Sequence, residues 1–153
     1  MYTCLFESHH EDIKNTCFDP LFYYYPYDDN LYQNYEEQFM VGGAIKVAPI
    51  LVPNITDTYP VYFPNGTWVN LADYSEIVKG PGYTNITAKK KVNAHLRPGS
   101  MIPFQDNSKH NLKNTAQLVE APITIIANRD ESGEAKGSLF LDGGKAQKQL
   151  HYN

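Results

Sequence analysis

Carboxylates, histidines and cysteines are the side chains able to do chemistry in this 153-residue chain, and their spacing works against most of it. Asp28-Asp29 and Glu36-Glu37 supply the paired carboxyl groups that general acid/base work needs. Neighbours in an extended segment point to opposite faces, so neither pair converges on one bond, and both read as solvated loop carboxylates. His9-His10-Glu11-Asp12 has the residue types of a zinc site. Adjacent histidines on a helix do not share a face, His-x-x-x-His spacing is missing, and zinc needs three or four convergent ligands. Cys4 and Cys17 form either one disulfide or two thiols, and spacing alone leaves both open. Without a Cys–His nucleophile pattern around them, buried thiols are the simpler reading. Lys89-Lys90-Lys91 reads as an exposed strand edge that discourages aggregation. These patterns assign no catalytic residue, no metal ligand and no cofactor site.

His95 and Arg97 stand apart, because residues i and i+2 on a strand share one face. They read either as an ordinary hydrogen-bonded pair or as part of an interface between domains. Three Asn-x-Thr sequons, at Asn54, Asn65 and Asn85, fall where strands are expected to turn, which suits surface glycans and a secretory lumen. The N-terminus, MYTCLFESHHEDIK, lacks the basic start and clean apolar run of a signal peptide. The two observations agree if the chain is a piece of a longer one, and the uncapped ending QLHYN raises the same expectation.

The bulk properties narrow the field. Net charge is −4 with no basic patch, which argues against a nucleic-acid partner. No apolar run approaches the roughly 20 residues of a membrane-spanning helix. Twelve tyrosines accompany seven phenylalanines and one tryptophan. Such aromatics are half-buried strand residues or sugar-facing ones, with Tyr59, Tyr62, Trp68 and Tyr83 the set that would stack on sugar rings.

Tyr2, Leu5, Phe6 and Ile13 predict a short amphipathic helix over residues 1–13. LFYYY predicts a buried strand closed by a turn from Pro26 to Asn30. AIKVAPIL predicts another strand after Gly42-Gly43. TYPVYFPNGTWVNL predicts a hairpin turning at Asn65-Gly66. Further strands are expected in YTNITAKKK, NAHLRPGSMIPF, AQLVEAPITIIAN and GSLFLDG, with turns at Gly80-Pro81-Gly82, Arg97-Pro98-Gly99 and Ser132-Gly133. Many short strands at this spacing predict an antiparallel β-sandwich or barrel. QDNSKHNLKNT, residues 105–115, reads as a linker.

Taken together, FDPLFYYYPYDD, EEQFMVGGAIKVAPIL, YPVYFPNGTWVNL and VNAHLRPGSMIPFQ resemble glycoside hydrolase family 31, the α-glucosidase and maltase family. Gln38, Phe39, Gly42, Val47, Ala48 and Pro49 match its Q-F-L-x-G-x-x-L-L-V-A-P-V segment. Tyr62, Phe63, Pro64, Gly66, Thr67 and Trp68 match Y-F-P-x-G-x-W-Y-D, and His95, Arg97, Gly99, Ile102, Pro103 and Gln105 match H-V-R-A-G-x-I-I-P-x-Q. GEAKGSLFLDGGKAQ is similar to G-x-L-x-x-D-D-G-x-S, with Gly143 at the second Asp and Ala146 near the Ser. Asp19 replaces the Arg of the family's R-P-L-F strand.

The resemblance implies a mainly β chain in three parts. Residues 1–37 would end a catalytic (β/α)8 barrel, 38–105 would form the proximal β-sandwich, and 106–153 would be a linker and the start of a distal β-domain. It implies an α-glucoside as the parent's substrate, the upstream barrel as partner, and a lysosomal, ER-lumenal or secreted glycoprotein. Retaining glycosidases use two carboxyl groups about 5 to 5.5 Å apart. The family's W-x-D-M-N-E motif, which carries the nucleophile, is absent from this sequence, as is R-N-H-N. The resemblance therefore places no catalytic residue here and implies a supporting role, with His95 and Arg97 at the barrel–sandwich interface. The alternative is a stand-alone β-sandwich that binds carbohydrate.

Overall fold

A computed structural model describes residues 2–10, 16–33, 35–55, 57–87, 92–105, 117 and 121–141. The N-terminal segment forms helix α1, Tyr2–His10. A disulfide between Cys4 and Cys17 ties it to strand β1, Phe18–Asp19, so the expectation of buried thiols gives way to a covalent staple. Closing a loop of this size removes conformational entropy from the unfolded chain. LFYYY does not form a strand. Pro20 is extended at φ −66 and ψ 149, and a 3-10 turn follows over Leu21–Tyr23. Tyr23 N–H donates to Pro20 O at 3.2 Å and Tyr24 N–H to Leu21 O at 3.0 Å. The β-prone aromatics are satisfied by packing on a tight turn: Leu21 is buried, and Tyr24 and Tyr25 lie against the core. Tertiary packing overrides strand propensity here. Two more 3-10 turns, Asp29–Tyr32 and Tyr35–Glu37, complete the approach to the sheet.

The sandwich begins with β2, Phe39–Val41, and β3, Ile45–Pro49. Between them Gly42 and Gly43 take φ of 57° and 69°, left-handed values that side chains disfavour. Strands β4, Thr58–Asn70, β5, Ile77–Thr87, and β6, Val92–Leu96, complete a six-stranded antiparallel sheet in the order β1-β2-β3-β6-β4-β5. A second sheet pairs β7, Ser100–Phe104, with β8, Thr124–Asn128. The fold is mainly β, an antiparallel β-sandwich with one helix, as expected.

Two turn signals in the sequence became something else. Asn65-Gly66 does not reverse the chain. It lies in the single 13-residue strand β4, whose register slips between Phe63 and Gly66. Gly80-Pro81-Gly82 lies inside β5, with Gly66 opposite Gly80 and Phe63 opposite Gly82. A hairpin turn needs its flanks to pair with each other, whereas both flanks of Asn65-Gly66 pair with β5. The facing glycines bend the two-stranded ribbon instead. A Cβ on Gly80 would collide with the Pro64 carbonyl oxygen. The reversal occurs over residues 71–76, closed by Asn70 N–H on Glu76 O at 3.0 Å and by the Asp73 carboxylate accepting from Ser75 N–H at 3.0 Å.

Leu21, Leu31, Met40, Ala48, Val61, Phe63, Trp68, Val78 and Ile86 make one core. The small sheet is fastened to it by Asn128, whose Nδ2 donates to Thr67 O at 2.7 Å and Leu96 O at 3.0 Å. GSLFLDG was expected to be a strand, but residues 137–141 contain none. Phe140 stacks instead on Phe6 at 3.6 Å and its N–H donates to Thr3 Oγ1 at 3.1 Å, bringing this segment back to α1. Of the expected linker over 105–115, all but Gln105 lies outside the described residues, as do Lys89–Lys91, Gly143 and Ala146.

Candidate functional site

The antiparallel register sets Lys46 of β3 directly opposite His95 of β6, and His95 opposite Asn70 of β4. Lys46 and His95 are fully buried, at 0 % exposure. Phe63 covers both: Lys46 Nζ lies 4.0 Å from its ring centroid, and the His95 ring meets it edge-on at 4.9 Å. Among the described residues Lys46 Nζ, both His95 ring nitrogens and Asn93 Nδ2 have no hydrogen-bond partner. Burial pushes the Lys46 ammonium down from 10.5 to about 7. Burial, then the neighbouring Lys46 charge, push His95 down from 6.5 to about 4. His95 is thus a neutral imidazole in the core at neutral pH. No bond joins it to Arg97.

Arg97 leaves the end of β6 and does different work. Its guanidinium lies 5.0 Å from the Tyr24 ring and 5.3 Å from the Tyr25 ring, distances typical of cation–π contact. Its Nη1 donates to Gly43 O at 3.3 Å, and its backbone N–H to Ala44 O at 2.8 Å. Tyr24 Oη donates in turn to Asp19 Oδ2 at 2.8 Å, and Thr16 Oγ1 donates to Asp19 Oδ1. Burial, with the Asp19 bond adding to it, raises the Tyr24 hydroxyl to about 12. Arg97 therefore joins residues 16–25 to the β2–β3 turn through an aromatic and carboxylate relay. The sequence showed Arg97 as a candidate but held no sign that Tyr24 and Asp19 would meet it.

Of the adjacent carboxylate pairs, Asp28 is occupied in bracing. Asp28 accepts from Tyr62 Oη at 2.8 Å and from Asn30 N–H at 3.2 Å. Burial first, then this bond, raises the Tyr62 hydroxyl to about 12. Asn30, Glu37, Gln38, Tyr59, Tyr62 and Tyr83 line a small pocket, with the buried Gln38 Oε1 unpartnered. The expected four-aromatic sugar platform does not assemble. Trp68 is fully buried and Tyr62 is 5 % exposed, while Tyr83 is 64 % exposed. The three sequon asparagines are all exposed, but only Asn54 stands in a turn, at φ 64°. Asn65 is at the β4 bulge, and Asn85 is within β5, opposite Pro60. Among the described residues no group of three or more His, Cys, Asp or Glu could hold a metal ion. Glu11, Asp12 and the His10 side chain lie outside them.

Comparison with known proteins accounts for this arrangement. Residues 14–102 match the glycosyl hydrolase family 31 C-terminal domain. The chain is 33% identical over 146 residues to an alpha-glucosidase of Hordeum vulgare, covering 94% of this chain and 16% of that protein. It is 30% identical over 165 residues to the lysosomal alpha-glucosidase of Rattus norvegicus, covering 95% of this chain and again 16% of the relative. Among solved structures, a GH31 alpha-xylosidase from Xanthomonas citri has the same fold with a TM-score of 0.65 at 20% identity, over 81% of this chain and 13% of that one. A GH31 dextranase from Flavobacterium johnsoniae aligns with a TM-score of 0.61 at 24% identity, over 78% of this chain and 14% of that one. The chain spans about a sixth of the length of these curated relatives. It belongs to glycosyl hydrolase family 31, and residues 14–102 correspond to that family's C-terminal domain.

Proposed function

We propose that this chain braces the catalytic barrel of an enzyme that hydrolyses terminal α-linked glucose. Residues 1–37 would be the end of that barrel, 38–105 the proximal sandwich, and 106–153 a linker and the start of a distal β-domain. The observation that carries the reading is the joint at Arg97, which grips Tyr24 and Tyr25 from the sandwich side. The Cys4–Cys17 bond holds α1 to the same segment. That segment also presents Leu5, Phe18, Tyr23 and Tyr27 at 44, 53, 67 and 98 % exposure. Apolar surface on this scale marks an interaction face, and a barrel is the partner the family supplies. His95, sealed in the core, would serve the joint only indirectly, by fixing the strand that ends at Arg97.

A chimera tests this. The matching segment of the barley alpha-glucosidase is deleted, or replaced by this chain. The deleted enzyme is expected to lose at least tenfold in α-glucoside turnover per soluble protein, and the chimera to recover much of it. A deleted enzyme as soluble and active as the intact one would refute the bracing role. The carbohydrate-module reading retains Tyr83 as its only well-exposed member of the expected platform.

A further inference from the structure

We propose that Asn85 carries an N-linked glycan whose innermost sugar packs on the Tyr83 ring, beside the open edge of the sheet. This goes beyond the bracing role and does not depend on it. The chemistry is transfer from a lipid-pyrophosphate-linked oligosaccharide. The Asn85 amide nitrogen forms a bond to the sugar's anomeric carbon and loses a proton, the sugar–phosphate bond breaks, and the lipid pyrophosphate leaves. Asn85-Ile86-Thr87 supplies the acceptor motif.

Three observations converge on this position. First, Cys4 and Cys17 are bonded, and disulfides persist in the oxidising compartments that also house glycan transfer. Second, Asn85 lies two residues beyond Tyr83 on the same outward face of β5, roughly 6–7 Å along the strand. Tyr83 is 64 % exposed, and its ring is backed edge-on by Tyr62 at 5.2 Å, which is itself held by Asp28 at 2.8 Å. A sugar therefore meets an aromatic face that is already ordered. Neither of the other sequons has this: Phe63, two residues before Asn65, is buried, and Val52 precedes Asn54. Third, β5 ends the sheet and pairs only with β4 among the described residues. It is 11 residues long, the kind of edge that invites pairing with another chain unless something bulky stands beside it.

The test is translation of the whole chain behind a cleavable leader into endoplasmic-reticulum microsomes, followed by enzymatic deglycosylation in heavy-oxygen water and peptide mass mapping. Asn85 is expected to be occupied, and Asn85→Gln to remove one glycan. Tyr83→Ser is expected to leave occupancy unchanged and to lower Tm by roughly 2–4 °C more in the glycosylated chain than on the Asn85→Gln background, where only the Tyr62 contact is lost. Trimming to the innermost sugar should preserve that difference. An unmodified Asn85 would overturn the proposal outright. Equal Tyr83→Ser effects with and without the glycan would overturn the stacking.

Discussion

Lys46→Leu will raise folding stability by about 4 kcal/mol at pH 7 and flatten its dependence on pH above that point. Lys46 is fully buried, its ammonium 4.0 Å from the Phe63 ring and without a hydrogen-bond partner among the described residues, and its folded-state pKa is lowered from 10.5 to about 7. Between those values the unfolded chain holds a proton that the folded chain lacks, so stability rises with pH across the window. At or below pH 7 nearly the whole cost is in force, at about 1.4 kcal/mol for each pH unit of displacement. The titratable group packed against it, His95, has the same sense: its pKa falls from 6.5 to about 4, and stability is lost as pH drops through that range. Leucine keeps the apolar contacts with Phe63, removes the charge, and relieves His95 of its repelling neighbour. Urea midpoints at several pH values measure this. The parent chain should climb from pH 4 to about pH 9, and the leucine variant should be level from pH 7 to about pH 9, above which it loses stability because unfolded tyrosines ionise before Tyr24 and Tyr62, both raised to about 12. A variant less stable than the parent, or an unchanged slope above pH 7, would show that Lys46 is solvated or paired in solution.

Trp68→Ala will cost about 3–5 kcal/mol, the range for losing a large aromatic from a packed core. The side chain is fully buried, meets Phe63 and Tyr25 with ring centroids 6.1 Å away in each case, and donates from Nε1 to Pro64 O at 2.9 Å. That last bond matters because Pro64 is at the β4 bulge, where the carbonyl has left the regular ladder. Trp68→Phe separates the two contributions. It keeps much of the ring packing and orphans the carbonyl, so a loss of about 1–2 kcal/mol is expected. If both substitutions cost the same in denaturant titrations, the bond and not the packing holds the bulge.

The sandwich was legible because alternation and turn residues report directly on β-structure. Arg97-Pro98-Gly99 does separate β6 from β7, and β8 falls inside AQLVEAPITIIAN. Asn65-Gly66 and Gly80-Pro81-Gly82 misled because turn chemistry is local. Whether a glycine reverses a strand or bends it depends on what lies across from it, and here each lies across from the other. LFYYY misled for a related reason: Pro20 starts a tight turn, and Leu21, Phe22, Tyr24 and Tyr25 pack on the core from it while Tyr23 stays exposed. Lys46 was hidden by the apparent apolarity of AIKVAPIL. Ile45 and Val47 look like the inward face, yet it is Lys46 and Ala48 that point to the core. The family pattern has leucine where this chain has Lys46, so a charge occupies a site built for an aliphatic side chain. For His95 and Arg97, sequence spacing could not show that one is sealed inside while the other reaches Tyr24 and Tyr25.

The proposal that this chain supports α-glucoside hydrolysis without performing it is motivated by contacts that act as braces: Arg97 on Tyr24, Asp28 on Tyr62, Asn128 on the strands beneath it. The most direct measurement is the hydrolysis of a chromogenic α-glucoside by the purified chain, followed from pH 4 to pH 8 against a buffer blank. The account predicts release indistinguishable from the blank throughout. Turnover well above it, abolished by substituting a carboxylate within these 153 residues, would contradict the account.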